Sequence, residues 1–147
     1  GGWYDAQYQL WAPGSIVRLQ EDAVAVISPT LYAKYLQQVD RMVAGNFENS
    51  FMHLHATSMF ILDQLLEIEE IRCFEINNDV GGPPISEMLP YFKAVQRAER
   101  PLLIRGSFTP DELKLLTDAL DPAGLYLYIR VADSEEISRL KPIVGME

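Results

Sequence analysis

The only two histidines of this chain, His53 and His55, lie two positions apart in one apolar stretch, residues 50–58. The stretch is typical of a buried strand running into the start of a helix. Side chains two apart on a strand point to the same face, so both imidazoles are predicted side by side at the strand's carboxyl end, where α/β folds bind ligands. Two neutral imidazoles there can bind a metal ion or contact an anionic or polar substrate. The alternative is a pair of hydrogen-bonded core histidines.

Glu75 is the best candidate partner for the histidines. It lies near the end of the next apolar run, at much the same expected height as His53 and His55. Two histidines and one carboxylate form a recognised site for zinc in hydrolytic enzymes, or for non-haem iron when facially arranged. We therefore predict that these three residues are catalytic and bind a metal ion, with zinc as the candidate. The alternative for Glu75 is a buried carboxylate paired with Arg72 or Arg105.

Polar residues at the ends of later runs are candidates for substrate binding. Arg105 and Arg130 close the fourth and fifth apolar runs, and Asn77 follows the third. Arginine suits bidentate recognition of carboxylate or phosphate groups, so we predict that these three residues contact a small-molecule substrate. The alternatives are that the arginines neutralise acidic groups across the strand ends and that Asn77 forms a turn.

Short apolar runs alternate along the chain with helical patterns. Helix starts are marked by Ser28 before Pro29, by Thr109 before Pro110 with a capping-box Glu112, and by Asp133 or Ser134. The apolar stripes predict helices at about 29–45, 58–68, 86–97, 110–120 and 134–140. The runs that precede them are 15–20, 51–55, 71–76, 101–106 and 124–131.

Five successive β-then-α units predict an α/β fold with a parallel sheet and right-handed crossovers. Each run ends in polar or charged residues, as at the active face of a TIM barrel. A complete barrel takes about 250 residues, so we expect a partial TIM barrel of about five strands, forming a single domain over 1–147. Its aromatic N-terminal arm, 1–14, is expected to cover a sheet edge or a partner chain; the arm contains Trp3, Tyr4, Tyr8 and Trp11.

The composition excludes several classes of protein. The formal charge of −9 argues against nucleic-acid binding. No apolar stretch is long enough to span a bilayer, and no signal-peptide pattern is present, so no membrane partner is expected. The single Cys73 excludes an internal disulfide and is expected to pack in the core. These features predict a cytoplasmic protein.

Two motifs carry a resemblance to a known superfamily. Residues 27–32, Ile-Ser-Pro-Thr-Leu-Tyr, look like a strand-to-helix step written I-S-P-x-x-aromatic. Residues 53–62, H-L-H-A-T-S-M-F-I-L, look like the zinc segment H-x-C-G-x-x-x-x-I-L. In this order they resemble the C-terminal half of the uroporphyrinogen decarboxylase superfamily, which includes zinc- and cobamide-dependent methyltransferases. His53 stands at the histidine ligand, His55 replaces the cysteine ligand, and Ala56 replaces the glycine.

The resemblance implies the C-terminal part of a barrel enzyme of the decarboxylase or metal-assisted methyltransferase class, with a divergent site. The methyltransferases place a further cysteine after the last strand, and the decarboxylases a histidine; residues 128–133 contain neither. The N-terminal half of such a barrel is not in this sequence, and two open sheet edges are expected to require a cover. We therefore predict a homo-oligomer or pairing with the missing half. The alternative function is a non-catalytic binding or assembly module.

Overall fold

A five-stranded parallel sheet forms the centre of the computed structural model, which describes residues 1–146. The strands are adjacent in chain order, from Ile16–Gln20 at one edge to Leu125–Ile129 at the other. A two-stranded antiparallel hairpin, formed by Gly2–Asp5 and Leu10–Pro13, precedes them. The strands are β1 Gly2–Asp5, β2 Leu10–Pro13, β3 Ile16–Gln20, β4 Asn49–His55, β5 Cys73–Asn77, β6 Leu102–Gly106 and β7 Leu125–Ile129.

Six α-helices connect and follow the strands of the parallel sheet. Three short 3₁₀ turns, Asp22–Val26, Ala56–Ile61 and Lys141–Val144, complete the regular structure. The predicted α/β fold with a parallel sheet is confirmed. The helices are α1 Pro29–Tyr35, α2 Gln37–Gly45, α3 Leu62–Leu66, α4 Ile85–Arg97, α5 Pro110–Ala119 and α6 Ser134–Leu140.

The helix starts follow the predicted caps. The Ser28 hydroxyl accepts a hydrogen bond from the Leu31 amide at 3.2 Å, and Thr109 forms the capping box with Glu112. The predicted helix 29–45 was wrong in one respect, because it is divided at Leu36 into α1 and α2. The segment after β4 also differs, since it begins as a 3₁₀ turn and becomes α-helical only at Leu62.

The main core lies on one face of the parallel sheet. Right-handed crossovers between strands in sequential order place every connecting helix on the same side. Alternate strand residues such as Met52, Leu54, Phe74 and Ile76 point to that side and pack against the helices. The opposite face of the sheet is therefore left to the N-terminal hairpin, and we call it the hairpin face.

Tyr8, in the turn of the hairpin, packs against the hairpin face of the sheet. It is only 1% exposed and packs edge-to-face on Phe51, with ring centroids 5.6 Å apart. Leu103 completes this second, smaller apolar cluster. The predicted aromatic arm thus covers a face of the sheet and not an edge, because the buried tyrosine finds both apolar packing and polar partners there. Trp3 and Trp11 remain exposed.

Strand register arranges the polar side chains of the hairpin face in two rows. The lower row contains His53 level with Glu75. The upper row, nearer the carboxyl ends of the strands, contains His55, Asn77, Arg105 and Tyr128. Parallel pairing brings residues from distant parts of the chain to one height, and this produces the candidate site.

Candidate metal centre

The histidine pair occupies the carboxyl end of β4, as predicted. Its two Nε2 atoms are 3.1 Å apart, and the rings are nearly perpendicular, at 81°. His53 is buried, with 4% exposure, whereas His55 is partly open to solvent. The period of two along the strand places both rings on the hairpin face, so that the Nε2 atoms face one point.

A carboxylate holds the other nitrogen of each ring. The Nδ1 atom of His53 makes a short hydrogen bond with Glu75, which is level with it on β5. The Nδ1 atom of His55 lies 3.0 Å from both oxygens of Asp79. An ionised carboxylate only accepts hydrogen bonds, so Nδ1 donates in a ring that such a carboxylate holds. A neutral imidazole that donates through Nδ1 carries its lone pair on Nε2.

Asp79 is ionised in this arrangement. Partial burial opposes the charged form of Asp79, but hydrogen bonds from His55, Asn77 and the Ala56 amide outweigh burial and lower its pKa. The ionised carboxylate keeps the Nδ1 proton of His55 in place. The pairing of a carboxylate with a histidine in this way is the usual outer support of a metal-binding imidazole.

Asp22 is the third residue that reaches the Nε2 atoms. One oxygen of Asp22 is 3.5 Å from Nε2 of His55, and the other accepts a hydrogen bond from Gln20 at 2.7 Å. One potential ligand atom from each of Asp22, His53 and His55 lies within 4.8 Å of the others. Asp22 begins the 3₁₀ turn two residues after Gln20, which pairs with His53, so it lies just beyond the carboxyl end of β3, beside that of β4.

The cluster of potential ligand atoms around the histidines contains Asp22, whereas the predicted ligand Glu75 contacts His53 through Nδ1. Glu75 lies directly beside His53 in the lower row, so its carboxylate reaches Nδ1 on the far side of the ring. Glu75 can therefore fix the orientation of the His53 ring through Nδ1. The sequence offered one signal for Asp22, namely its position at the end of the first apolar run, beside the predicted sheet.

The spacing of the histidine pair suits one metal ion. Two imidazole nitrogens bound to zinc at about 2.0–2.1 Å with a tetrahedral angle are about 3.3 Å apart, close to the observed 3.1 Å. Two lone pairs facing each other at that distance repel unless a proton or a metal ion lies between them. Asp22, Glu75 and Asp79 add three carboxylate charges, two of which a divalent cation would balance.

Tyr8 closes the buried side of the centre. Its hydroxyl is 3.0 Å from Nδ1 of His53 and accepts a hydrogen bond from Gln7. Burial, together with the nearby charge of Glu75, raises the pKa of Tyr8 to about 12, so the phenol keeps its proton. Sequence reasoning missed this residue, because nothing local in the arm shows that its turn reaches β4.

The predicted substrate-binding residues fall into two groups. Asn77 donates to Asp79 at 2.5 Å and accepts from Arg105 at 3.3 Å, so both belong to the polar network of the histidines. Arg130 is exposed beyond the end of β7, and no side-chain contact joins it to this network within residues 1–146.

Cys73 packs beside the smaller apolar cluster of the hairpin face, as expected of a core thiol. Burial, with a smaller effect of Glu75, raises the pKa of Cys73 to about 12. The free thiol is therefore protonated near neutral pH.

Comparisons with known proteins returned no matching family model, no matching curated protein and no matching solved structure. Within residues 1–146, none of the helices combines the length and the apolar character needed to cross a bilayer.

Proposed function

We propose that this chain holds a divalent metal ion, with zinc as the candidate, through Asp22, His53 and His55. One observation carries the proposal: the two Nε2 atoms converge to 3.1 Å while a carboxylate holds each Nδ1. Imidazole and carboxylate ligands suit zinc, and three protein ligands leave a fourth position for water or substrate. That is the ligand count of catalytic zinc sites, whereas structural sites have four protein ligands.

The protein groups around the ion have distinct roles in this proposal. A divalent ion there supplies a Lewis acid that polarises a substrate oxygen or activates a nucleophile. Glu75 and Asp79 fix the tautomers and orientations of the two histidines. Tyr8 excludes water from the buried side of His53. His55 and Asp22 are exposed enough to leave the open position accessible.

We propose further that the chain is the C-terminal portion of an enzyme similar to uroporphyrinogen decarboxylase, of the decarboxylase or metal-assisted methyltransferase class. The support is the order of the motifs at 27–32 and 53–62 and the five sequential parallel β/α units. Consecutive units of a TIM barrel have this order and carry their active residues at the same ends of the strands. On this proposal the five units are part of a barrel completed by another segment or chain.

A non-catalytic assembly module is the second candidate function. The observation that favours it is an apolar groove of about 420 Å³ beside the edge strand β7. Leu125, Leu127 and Ile129 line one side of the groove, and Ile143 and Val144 the other. An open edge strand next to apolar surface is a place where a second chain can pair.

Zinc titration followed by calorimetry tests the metal centre on the full chain purified without a histidine tag. We expect one zinc ion per chain, loss of stoichiometric binding in H53A and H55A, and clearly weaker binding in D22N. The matched control is D118N, which removes an exposed carboxylate paired with exposed Lys114. Failure of the folded wild-type protein to bind zinc at micromolar concentration would overturn the proposal and favour the assembly module.

A further inference from the structure

Arg105, in the upper row of the hairpin face, is a cation that forms no ion pair within residues 1–146. Its Nε atom is buried without a hydrogen-bond partner, and its one side-chain hydrogen bond within residues 1–146 is to Asn77, at 3.3 Å. Arg18, on the same face, is by contrast satisfied by Gln7 at 2.5 Å and Asp5 at 3.8 Å. A buried donor without a partner is costly in a folded protein. Of the two terminal nitrogens of Arg105, only Nη1 makes a hydrogen bond within residues 1–146, so the end of the guanidinium keeps donors for an anion.

Two aromatic rings hold this guanidinium in place. Its central carbon lies 5.5 Å from the ring centroid of Tyr8 and 5.5 Å from that of Tyr128. Such cation–π contacts restrict a long side chain without using its N–H donors. Asn77 adds a directional contact from the neighbouring strand. The group is thus preorganised for the bidentate recognition of a carboxylate, for which arginine is suited.

Arg105 lies at the same height in the sheet as His55. His55, Asn77 and Arg105 are level on three adjacent strands, so the α-carbons of His55 and Arg105 are about 10 Å apart across two strand spacings. Asn77 bridges Arg105 to Asp79, the carboxylate that holds His55. A small molecule of a few carbons can therefore reach both the guanidinium and the open position of the metal centre.

The local charges decide which part of such a molecule binds at each end. Asp22, Glu75 and Asp79 already exceed the charge of a divalent ion by one unit, so a second anion on the ion is opposed. Arg105 adds one positive charge that no carboxylate of residues 1–146 pairs with. The anionic end of the ligand belongs at Arg105, and a neutral oxygen belongs at the ion.

We propose that the site binds a small monocarboxylic acid with a carbonyl or hydroxyl oxygen a few carbons away, with its carboxylate on Arg105. This inference rests on the proposed metal centre and extends it by naming the class of ligand and the residue that selects it. Arg105 is thereby a specificity-determining residue, because it distinguishes a free acid from an ester or amide of the same shape.

Calorimetric titration of the zinc-loaded chain with levulinate and with methyl levulinate tests the proposal. These probes share the 4-oxo group and differ in the charge of the acid end. We expect the acid to bind at least about tenfold more tightly than the ester, as charged hydrogen bonds to guanidinium imply. R105Q should reduce the affinity for the acid to that for the ester, and R105K should restore only part of it. R97Q, which changes an exposed arginine at the end of α4, should leave both affinities unchanged.

The zinc titration separates the two proposals. Absence of zinc binding in the wild-type chain overturns the metal centre, and the inference about Arg105 falls with it. Zinc binding with equal affinity for acid and ester, or an unchanged acid affinity in R105Q, overturns the inference alone and leaves Arg105 as a packing partner of Tyr8 and Tyr128. If R105Q fails to fold, the acid-to-ester ratio of wild type and R105K decides.

Discussion

The Nε2 atoms of His53 and His55 face each other across 3.1 Å, and Nδ1 of each ring is hydrogen-bonded to a carboxylate. The two carboxylates come from β5 and from the loop after it, so the outer supports of both rings depend on one neighbouring strand. Two facing lone pairs repel each other, so this arrangement favours a proton or a metal ion between the rings. Substitution of Glu75 or Asp79 therefore tests the proposed centre, as substitution of either histidine does.

Removing a supporting charge should weaken metal binding without removing a ligand. We expect E75Q and D79N each to reduce zinc affinity about 10–100-fold, the range found for outer-shell partners of metal-binding histidines. Calorimetry on the wild type and each variant provides the measurement, and D118N is the control for a surface carboxylate. Unchanged zinc affinity in both variants would show that the ring orientations do not depend on these carboxylates.

The carboxyl pair of Glu21 and Asp40 should make stability depend on pH. The Tyr32 hydroxyl donates to Asp40 at 2.6 Å, and the Glu21 carboxyl lies against the same carboxylate. Burial and then the charge of Asp40 raise the pKa of Glu21 to about 7, and burial also raises the pKa of Asp40. Because the folded pKa values exceed the unfolded ones, this stabilisation is complete below the unfolded values and is lost as the pH rises through about 7.

The D40N variant isolates that effect. Its side chain still accepts the Tyr32 hydrogen bond but no longer titrates. We expect the wild-type Tm to fall between about pH 5 and pH 8, and the fall to be smaller in D40N, which should be the more stable of the two at the alkaline end. Y32F should instead lower stability by about 1–3 kcal/mol by leaving Asp40 without its donor. Parallel pH profiles of wild type and D40N would contradict this account.

The hairpin should contribute stability through one side chain. Tyr8 is 1% exposed, whereas Trp11 of the same hairpin is 64% exposed. We expect Y8A to lower the free energy of unfolding by about 3–5 kcal/mol, as for other buried aromatics, and W11A by no more than about 0.5 kcal/mol. Urea denaturation of the apo protein measures both. Similar losses in the two variants would mean that the hairpin does not rest on Tyr8.

Open sheet edges predict self-association. The β3 and β7 strands each have one neighbour in the parallel sheet, and apolar side chains line the groove beside β7. We expect the purified chain to form a homodimer or higher oligomer, detected by light scattering over a dilution series. A fully folded monomer at low micromolar concentration would contradict the expectation and weaken the proposal of a partial barrel.

Much of the fold was predictable because its signals are local. The caps at Ser28, Thr109 and Asp133 and the five apolar runs each depend on a few consecutive residues, and the structure has them in place. The division of the first helix at Leu36 was not predictable, because its apolar stripe continues through that position. The N-terminal hairpin was also missed, since its turn is stabilised by contacts with β4 and β3.

The sequence by itself determined the histidine pair, because alternation along one strand places His53 and His55 on the same face wherever that strand lies. Their partners were decided only by tertiary structure. Strand register placed Asp22 in front of the rings and Glu75 behind them, and it set Arg105 level with His55 while Arg130 fell beyond the network. Spacing within one element is a property of the backbone, whereas height across a sheet arises only when separate segments pair.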